Sequence, residues 1–164
     1  MERFNRRIDH RKFREELEKR TFDYLETNSL KYFGSTSSIR YNIKLSDKSS
    51  VNDFISSKSP VFDGMVQNIN GVYFIEVLFL SNPSISIMYF ERFYYMLNKV
   101  ILFSKRNNVP SSLLLVLRYV DEKLTPVVKQ RFYRDFDYAL ESGLLRIEWL
   151  KVDENELNEF IMSD

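Results

Sequence analysis

The segment Ser112–Val120, SLLLVLRYV, is an apolar run of strand length, and it constrains the fold more than any other part of the chain. A strand without polar alternation must be covered on both faces, which puts it in the middle of a sheet with helices above and below. The flanking sequence supplies those helices. Upstream, Asn82-Pro83-Ser84 offers a cap and a first-turn proline for a long helix through about Arg106, ended by Asn107-Asn108-Val109-Pro110. Downstream, Thr125-Pro126 opens a helix in which Val128, Phe132, Phe136, Ala139 and Leu140 keep the helical period until Gly143. Leu145, Ile147 and Trp149 then alternate with Arg146, Glu148 and Leu150, as in a strand near a sheet edge.

The first half of the chain completes the sheet. Phe13, Leu17 and Tyr24 mark one side of an amphipathic helix between Ile8 and Glu26. Ile39, Tyr41, Ile43 and Leu45 alternate as a strand, and a weaker segment surrounds Phe54 and Ile55. Val61–Asn68 and Val72–Leu80 flank Asn70-Gly71, a strong hairpin signal because both residues tolerate positive φ. A short polar helix is expected from Asp153. The order is helix, three strands, helix, strand, helix, strand, helix: an α/β fold with a mixed central sheet flanked by helices, in one domain spanning 1–164.

Composition narrows the function. With 44% apolar and 15% aromatic residues, the chain forms a core rather than a disordered or fibrous polymer. The absence of cysteine excludes disulfides, thiol catalysis and zinc ribbons, and fits a reducing compartment. The opening MERFNRRIDH has no following apolar stretch, so no secretory signal is expected, and Glu91, Arg92, Asn98 and Lys99 interrupt the longest apolar segment, so no membrane span is expected either. A cytoplasmic location follows by elimination. A net charge of +1 excludes a broad positive field, so any nucleic-acid binding needs a local patch. Two stretches offer one: Arg3, Arg6, Arg7, Arg11, Lys12 and Arg14 near the start, and Lys129, Arg131 and Arg134; a solvated helix face explains either equally well.

No glycine-rich phosphate loop or serine-nucleophile elbow is present, and the single histidine, His10, lies in a charged helix without a partner for catalysis. What remains is the hairpin PVFDGMVQNINGVYFIEVLFL. Asp63 stands near the start of one strand, and Glu76 interrupts a strongly apolar partner strand. Two carboxylates brought together repel unless a cation, a proton or an arginine compensates, and an all-oxygen site without histidine or cysteine suits magnesium or manganese.

This arrangement resembles the restriction-endonuclease-like PD-(D/E)XK nuclease superfamily. Pro60-Val61-Phe62-Asp63-Gly64 looks like the first element of that motif and Glu76-Val77-Leu78 like the second, with Leu78 where the family has lysine. The resemblance implies the order αβββαβαβ, and a Mg2+ or Mn2+ ion held by Asp63, Glu76 and the Val77 carbonyl, with Glu16 of the first helix as a further ligand. It implies action on nucleic acid, as a phosphodiester hydrolase if another cation replaces the lysine. Arg20, beside Glu16 in the first helix, is the main candidate, with Lys44 and Lys99 as others. Otherwise Asp63 and Glu76 form structural ion pairs in an inactive module that assembles with itself or a partner protein. The aromatic helix 84–106 supplies the surface for that, since its Tyr, Phe and Leu residues cover nearly the whole circumference. An intrachain partner such as the first helix accounts for the same surplus.

Overall fold

The computed structural model describes residues 2–45, 61–80, 87–153 and 155–156, with side chains in the first helix described from Arg11 onward. Its elements are α1 (Glu2–Thr27), α2 (Ser29–Phe33), β1 (Arg40–Lys44), β2 (Val61–Asn68), β3 (Gly71–Leu80), α3 (Ile87–Asn107), β4 (Ser111–Tyr119), α4 (Thr125–Asp135), α5 (Asp137–Ser142) and β5 (Leu145–Lys151). A single 3-10 turn, Glu122–Leu124, precedes α4. The weaker segment around Phe54 and Ile55, expected as loop or a short helical turn, and the side chains of His10 and Lys44 lie outside the described residues, as does most of the helix expected from Asp153.

The five strands form one mixed sheet in the order β1-β2-β3-β4-β5. β1, β2 and β3 run antiparallel to one another, whereas β3, β4 and β5 are parallel. Parallel neighbours require crossovers, and α3 and the α4–α5 pair supply them. The expectation for SLLLVLRYV holds: β4 lies between two strands, and it is buried from Leu113 through Arg118. β5 is the edge strand, as its alternation implies.

Helices cover both faces. On one, Phe74 and the odd-numbered Leu113, Leu115 and Leu117 pack with Phe93, Met96 and Leu97 of α3 and with Phe132 and Phe136. On the other, Val66, Ile75, Leu114 and Val116 pack with Phe22 and Leu25 of α1 and with Tyr32 and Phe33 of α2. The inward stripe of α1 is Phe13, Leu17, Thr21 and Leu25, spaced four apart, while Tyr24 sits at its margin with 37% exposure. The surplus apolar surface of α3 meets α4 and the residue after it, not α1: Phe90 lies 5.2 Å from Phe132 and 5.8 Å from Phe136, centroid to centroid.

Two local expectations are corrected. The helix from Thr125 does not run on to Gly143: it breaks at Phe136, whose φ of −125° and ψ of 24° leave the helical region while its ring stays fully buried. The Asp135 carbonyl accepts a 2.9 Å hydrogen bond from the Tyr94 hydroxyl, a tertiary contact that takes the place of continued helix. In the hairpin the turn residues are Ile69 and Asn70, and Gly71 already pairs with Asn68 as the first residue of β3. Gly71 has a φ of +146°, and a Cβ there would stand 2.3 Å from the Pro110 carbonyl oxygen, so both backbone and space demand glycine.

Candidate acidic site at the splayed end of the hairpin

β2 alternates regularly only as far as Gly64. A Cβ on Gly64 would point at Ile39 and Phe22, on the α1 side of the sheet, and Val66 lies in the same cluster. Phe62, two residues earlier, instead packs against Phe74 on the α3 side, with ring centroids 4.7 Å apart. Strict alternation would put all three on one face, so the strand turns over at Asp63. Opposite this point the β1 ladder pairs Tyr41 with Gly64 and Ile43 with Phe62, and the intervening Asn42 takes a φ of +52°. The β2–β3 ladder likewise starts at Gly64 and Ile75.

Beyond that last pair, side chains replace main-chain ladder bonds. The Val77 N–H donates to Asp63 Oδ2 at 2.8 Å, and the Asp63 N–H donates to Glu76 Oε2 at 3.3 Å. Each acid thus caps an amide on the opposite strand, and the two carboxyls converge where the strands part. A Cβ at Gly64, next to Asp63, would sit 2.8 Å from Ile39 Cγ2 and 3.2 Å from the Phe22 ring, so any side chain there would force these neighbours to shift. Irregularities of this kind commonly re-aim a side chain beside a functional site.

The local balance of charge is negative. Burial, followed by the charge of Asp63, pushes the Glu76 carboxyl up to about 8, against the opposing pull of Arg92 and the Asp63 N–H. Burial also raises Asp63, although the Val77 N–H and Arg92 draw it down. A third acid belongs to the group: Glu18 of α1 is pushed up to about 7 by burial first and by Asp63 next. The cation at the site is Arg92 of α3, which donates through Nη2 to Glu76 Oε1 at 3.0 Å. Its side chain is 50% exposed while that of Glu76 is 9% exposed, so it closes the site from the solvent side.

The residues singled out in the sequence are distributed unevenly. Asp63 and Glu76 meet. Glu16 is occupied with Arg20, four residues on, at 3.3 Å, and Glu18 is the helix acid whose charge reaches Asp63 and Glu76. Arg20 lines a different pocket, with Tyr24, Arg118 and Lys151, and Lys99 lies over the Tyr95 ring at 5.5 Å. Leu78 is half-buried against the same apolar cluster as Phe62 and Phe74. On α4, Lys129 stacks on Trp149, Arg131 stacks on Phe90 at 4.2 Å, and Arg134 pairs with Asp135. Lys129 and Arg131, two residues apart, leave different sides of the helix, whereas Arg131 and Arg134, three apart, are neighbours on one side.

The acid pair offers oxygen donors only. Among the described residues no cluster of three or more His, Cys, Asp or Glu side chains is arranged to enclose a metal ion. Two carboxylates nevertheless fit magnesium, which keeps several waters and is usually held by one or two carboxylates together with substrate phosphates. Burial is the main cause of the raised proton affinity of Glu76 and Glu18, and the charge of Asp63 adds to it. Comparison with family models, with curated proteins and with solved structures found no match. Among the described residues, no helix is long and apolar enough to cross a membrane.

Proposed function

We propose that the chain is a PD-(D/E)XK-like protein acting on nucleic acid, a metal-dependent phosphodiester hydrolase with Asp63 and Glu76 as its cation-holding acids. The observation that carries this reading is the convergence of those two carboxyls where β2 and β3 separate, each bonded to a backbone amide of the opposite strand. The element order and the mixed sheet agree with the restriction-endonuclease-like core that the hairpin sequence resembles.

Asp63 and Glu76 supply oxygen ligands, with the Val77 carbonyl beside them as the resemblance implies. A magnesium or manganese ion held there would acidify a bound water and stabilise charge on a phosphate. Glu18, with a proton affinity poised near neutrality, is suited to accept a proton from that water. Arg92 takes the place of the missing lysine as the local cation. A guanidinium keeps its proton, so its part is to orient water or hold phosphate rather than to act as a base.

A second reading is favoured by Leu78, which lies against the apolar core where the family has a charged side chain. In that reading Arg92 and the acids form a structural ion pair in an inactive assembly module. Thermal melting with magnesium and manganese, alongside cleavage assays on DNA and RNA, separates the two. The hydrolase reading expects metal-dependent cleavage and a metal-induced rise in melting temperature, both lost in Asp63→Ala and Glu76→Ala proteins that remain folded. Cleavage unchanged in both variants would remove these acids from the mechanism. Failure of either metal to cleave or to stabilise would leave the module.

A further inference from the structure

A second buried charge occupies the central strands. Arg118 is the only charged residue of β4, and its side chain is 7% exposed. Its Nη1 donates to the Thr21 hydroxyl at 2.9 Å, and its Nη2 donates to Glu156 Oε1 at 2.9 Å and to the Lys151 carbonyl at 3.4 Å. Thr21 is itself buried in the inward stripe of α1, and its hydroxyl donates a hydrogen bond to the Leu17 carbonyl at 2.6 Å. The guanidinium is therefore anchored on three sides by α1, β5 and the segment after β5.

The network is incomplete. Arg118 Nε and Glu156 Oε2 are both buried without a hydrogen-bond partner among the described residues. An ion pair with an unsatisfied atom on each partner is costly to bury. A cavity of about 370 Å³ adjoins it, lined by Arg20, Tyr24, Arg118, Leu150, Lys151 and Glu156. Three of these six residues are cations and one is an acid. The other ion pairs of Arg20 and Lys151, to Glu16 and Glu122, are at least partly exposed and long at 3.3 and 3.2 Å, so they exchange partners at little cost.

We propose that this pocket, between α1 and the carboxyl ends of β4 and β5, binds a phosphoryl group, with Arg118 as its buried anchor and Arg20 and Lys151 as its outer contacts. Glu156 holds the place of that anion in the free protein: its carboxylate takes the Arg118 Nη2 donor that a phosphoryl oxygen would take. A phosphoryl group brings more acceptor oxygens than a carboxylate and matches the fork of an arginine, so it can use the donors that Glu156 leaves over. The site stands apart from the acid pair and needs no metal.

The test is binding by calorimetry and thermal shift, in EDTA and at constant ionic strength set by chloride. The probes are inorganic phosphate and a short single-stranded oligonucleotide with and without a 5′-phosphate. Wild-type protein should show saturable binding of at least one phosphorylated probe. Arg20→Gln combined with Lys151→Gln should weaken that binding roughly tenfold or more, the equivalent of about 1.4 kcal/mol. Glu156→Gln, which removes the competing charge and keeps an acceptor for the Asp153 N–H, should tighten it severalfold. Binding of inorganic phosphate alone assigns the site to a free phosphate, and preference for the 5′-phosphorylated strand assigns it to a strand end. Absence of saturable binding in both the wild type and Glu156→Gln, or binding untouched by all three substitutions, would overturn the proposal. Glu156→Gln does not disturb the Arg118 anchor on Thr21, so the test does not depend on a variant that fails to fold.

Discussion

Replacing Glu76 by glutamine in metal-free buffer should stabilise the protein at alkaline pH and leave it nearly unchanged in mild acid. The Glu76 residue is 7% exposed, and its carboxyl is pushed from 4.5 to about 8 by burial first and by Asp63 second. A group that binds its proton more tightly in the folded state contributes most while the proton is on. Between 4.5 and about 8 the unfolded chain ionises and the folded chain does not, so stability falls as pH rises through that window, and above it the loss is complete. At about 1.36 kcal/mol per pKa unit the ceiling is about 5 kcal/mol. Glutamine also gives up the charged contact to the half-exposed Arg92, and the titration is shared with Glu18 and Asp63, which together bring the expected net gain to about 2–3 kcal/mol. For a chain of this length that is a rise in Tm of about 5–10 °C. Urea unfolding and thermal melts of both proteins, run in EDTA from pH 4.5 to above 8, should give a stability difference that starts near zero and grows to a plateau. A difference that stays flat with pH, or a variant less stable than its parent at the alkaline end, would mean that Arg92 keeps the carboxylate ionised throughout and that the site has no excess of negative charge.

Leu78→Lys should lower stability by about 1–2 kcal/mol, since the stem can stay against the core while the ammonium reaches water, and should raise metal-dependent cleavage if the hydrolase reading holds; activity measured beside a melt reads both. Gly71→Ala should cost at least about 2 kcal/mol in a urea titration, because the left-handed backbone and the Pro110 carbonyl both oppose a Cβ. Phe93→Glu should prevent folding, as circular dichroism would show, because that ring is buried beside Phe90 and Phe132 and is no surface for a partner. Leu102→Glu, at 50% exposure on the outer side of α3, should leave the melt unchanged and dissolve any concentration-dependent association seen by sedimentation.

The order of strands and helices was legible because the strands carry signatures of their own: alternation in β1 and β5, the Asn70-Gly71 turn between β2 and β3, and an apolar run in β4. The acid pair was legible for a related reason, since a carboxylate in a run such as VYFIEVLFL contradicts its surroundings. Arg118 sends the same signal from within SLLLVLRYV, where eight uncharged neighbours hide it. The choice between Glu16 and Glu18 was not legible. They flank Leu17 on either side of the inward stripe, and which flank faces the hairpin depends on where α1 lies across the sheet, a tertiary fact with no local periodicity. The break at Phe136 escaped for a similar reason, because the apolar period runs through it and only the Tyr94 hydroxyl marks the carbonyl where the helix stops. Arg92 was read only as an interruption of an apolar segment. Its role follows from the height at which α3 crosses β3.

Glu76 and Arg118 are the two charged residues buried in the central strands; Glu76 stands about midway along β3, opposite Leu115, and Arg118 is the penultimate residue of β4. Stability does not account for either. A buried ion pair rarely outweighs the desolvation of its members, and apolar residues of similar volume usually serve a core as well. The opposite end of the sheet, around Gly71, Pro110 and Gly143, has turns and short polar side chains but no buried charge. In open sheets with parallel strands, ligands bind outside the carboxyl ends, where the crossovers leave a crevice. α1 runs past both charges, with Glu18 beside the acids and Arg20 and Thr21 beside Arg118. One helix thus approaches both the acid pair, through Glu18, and the buried arginine, through Thr21.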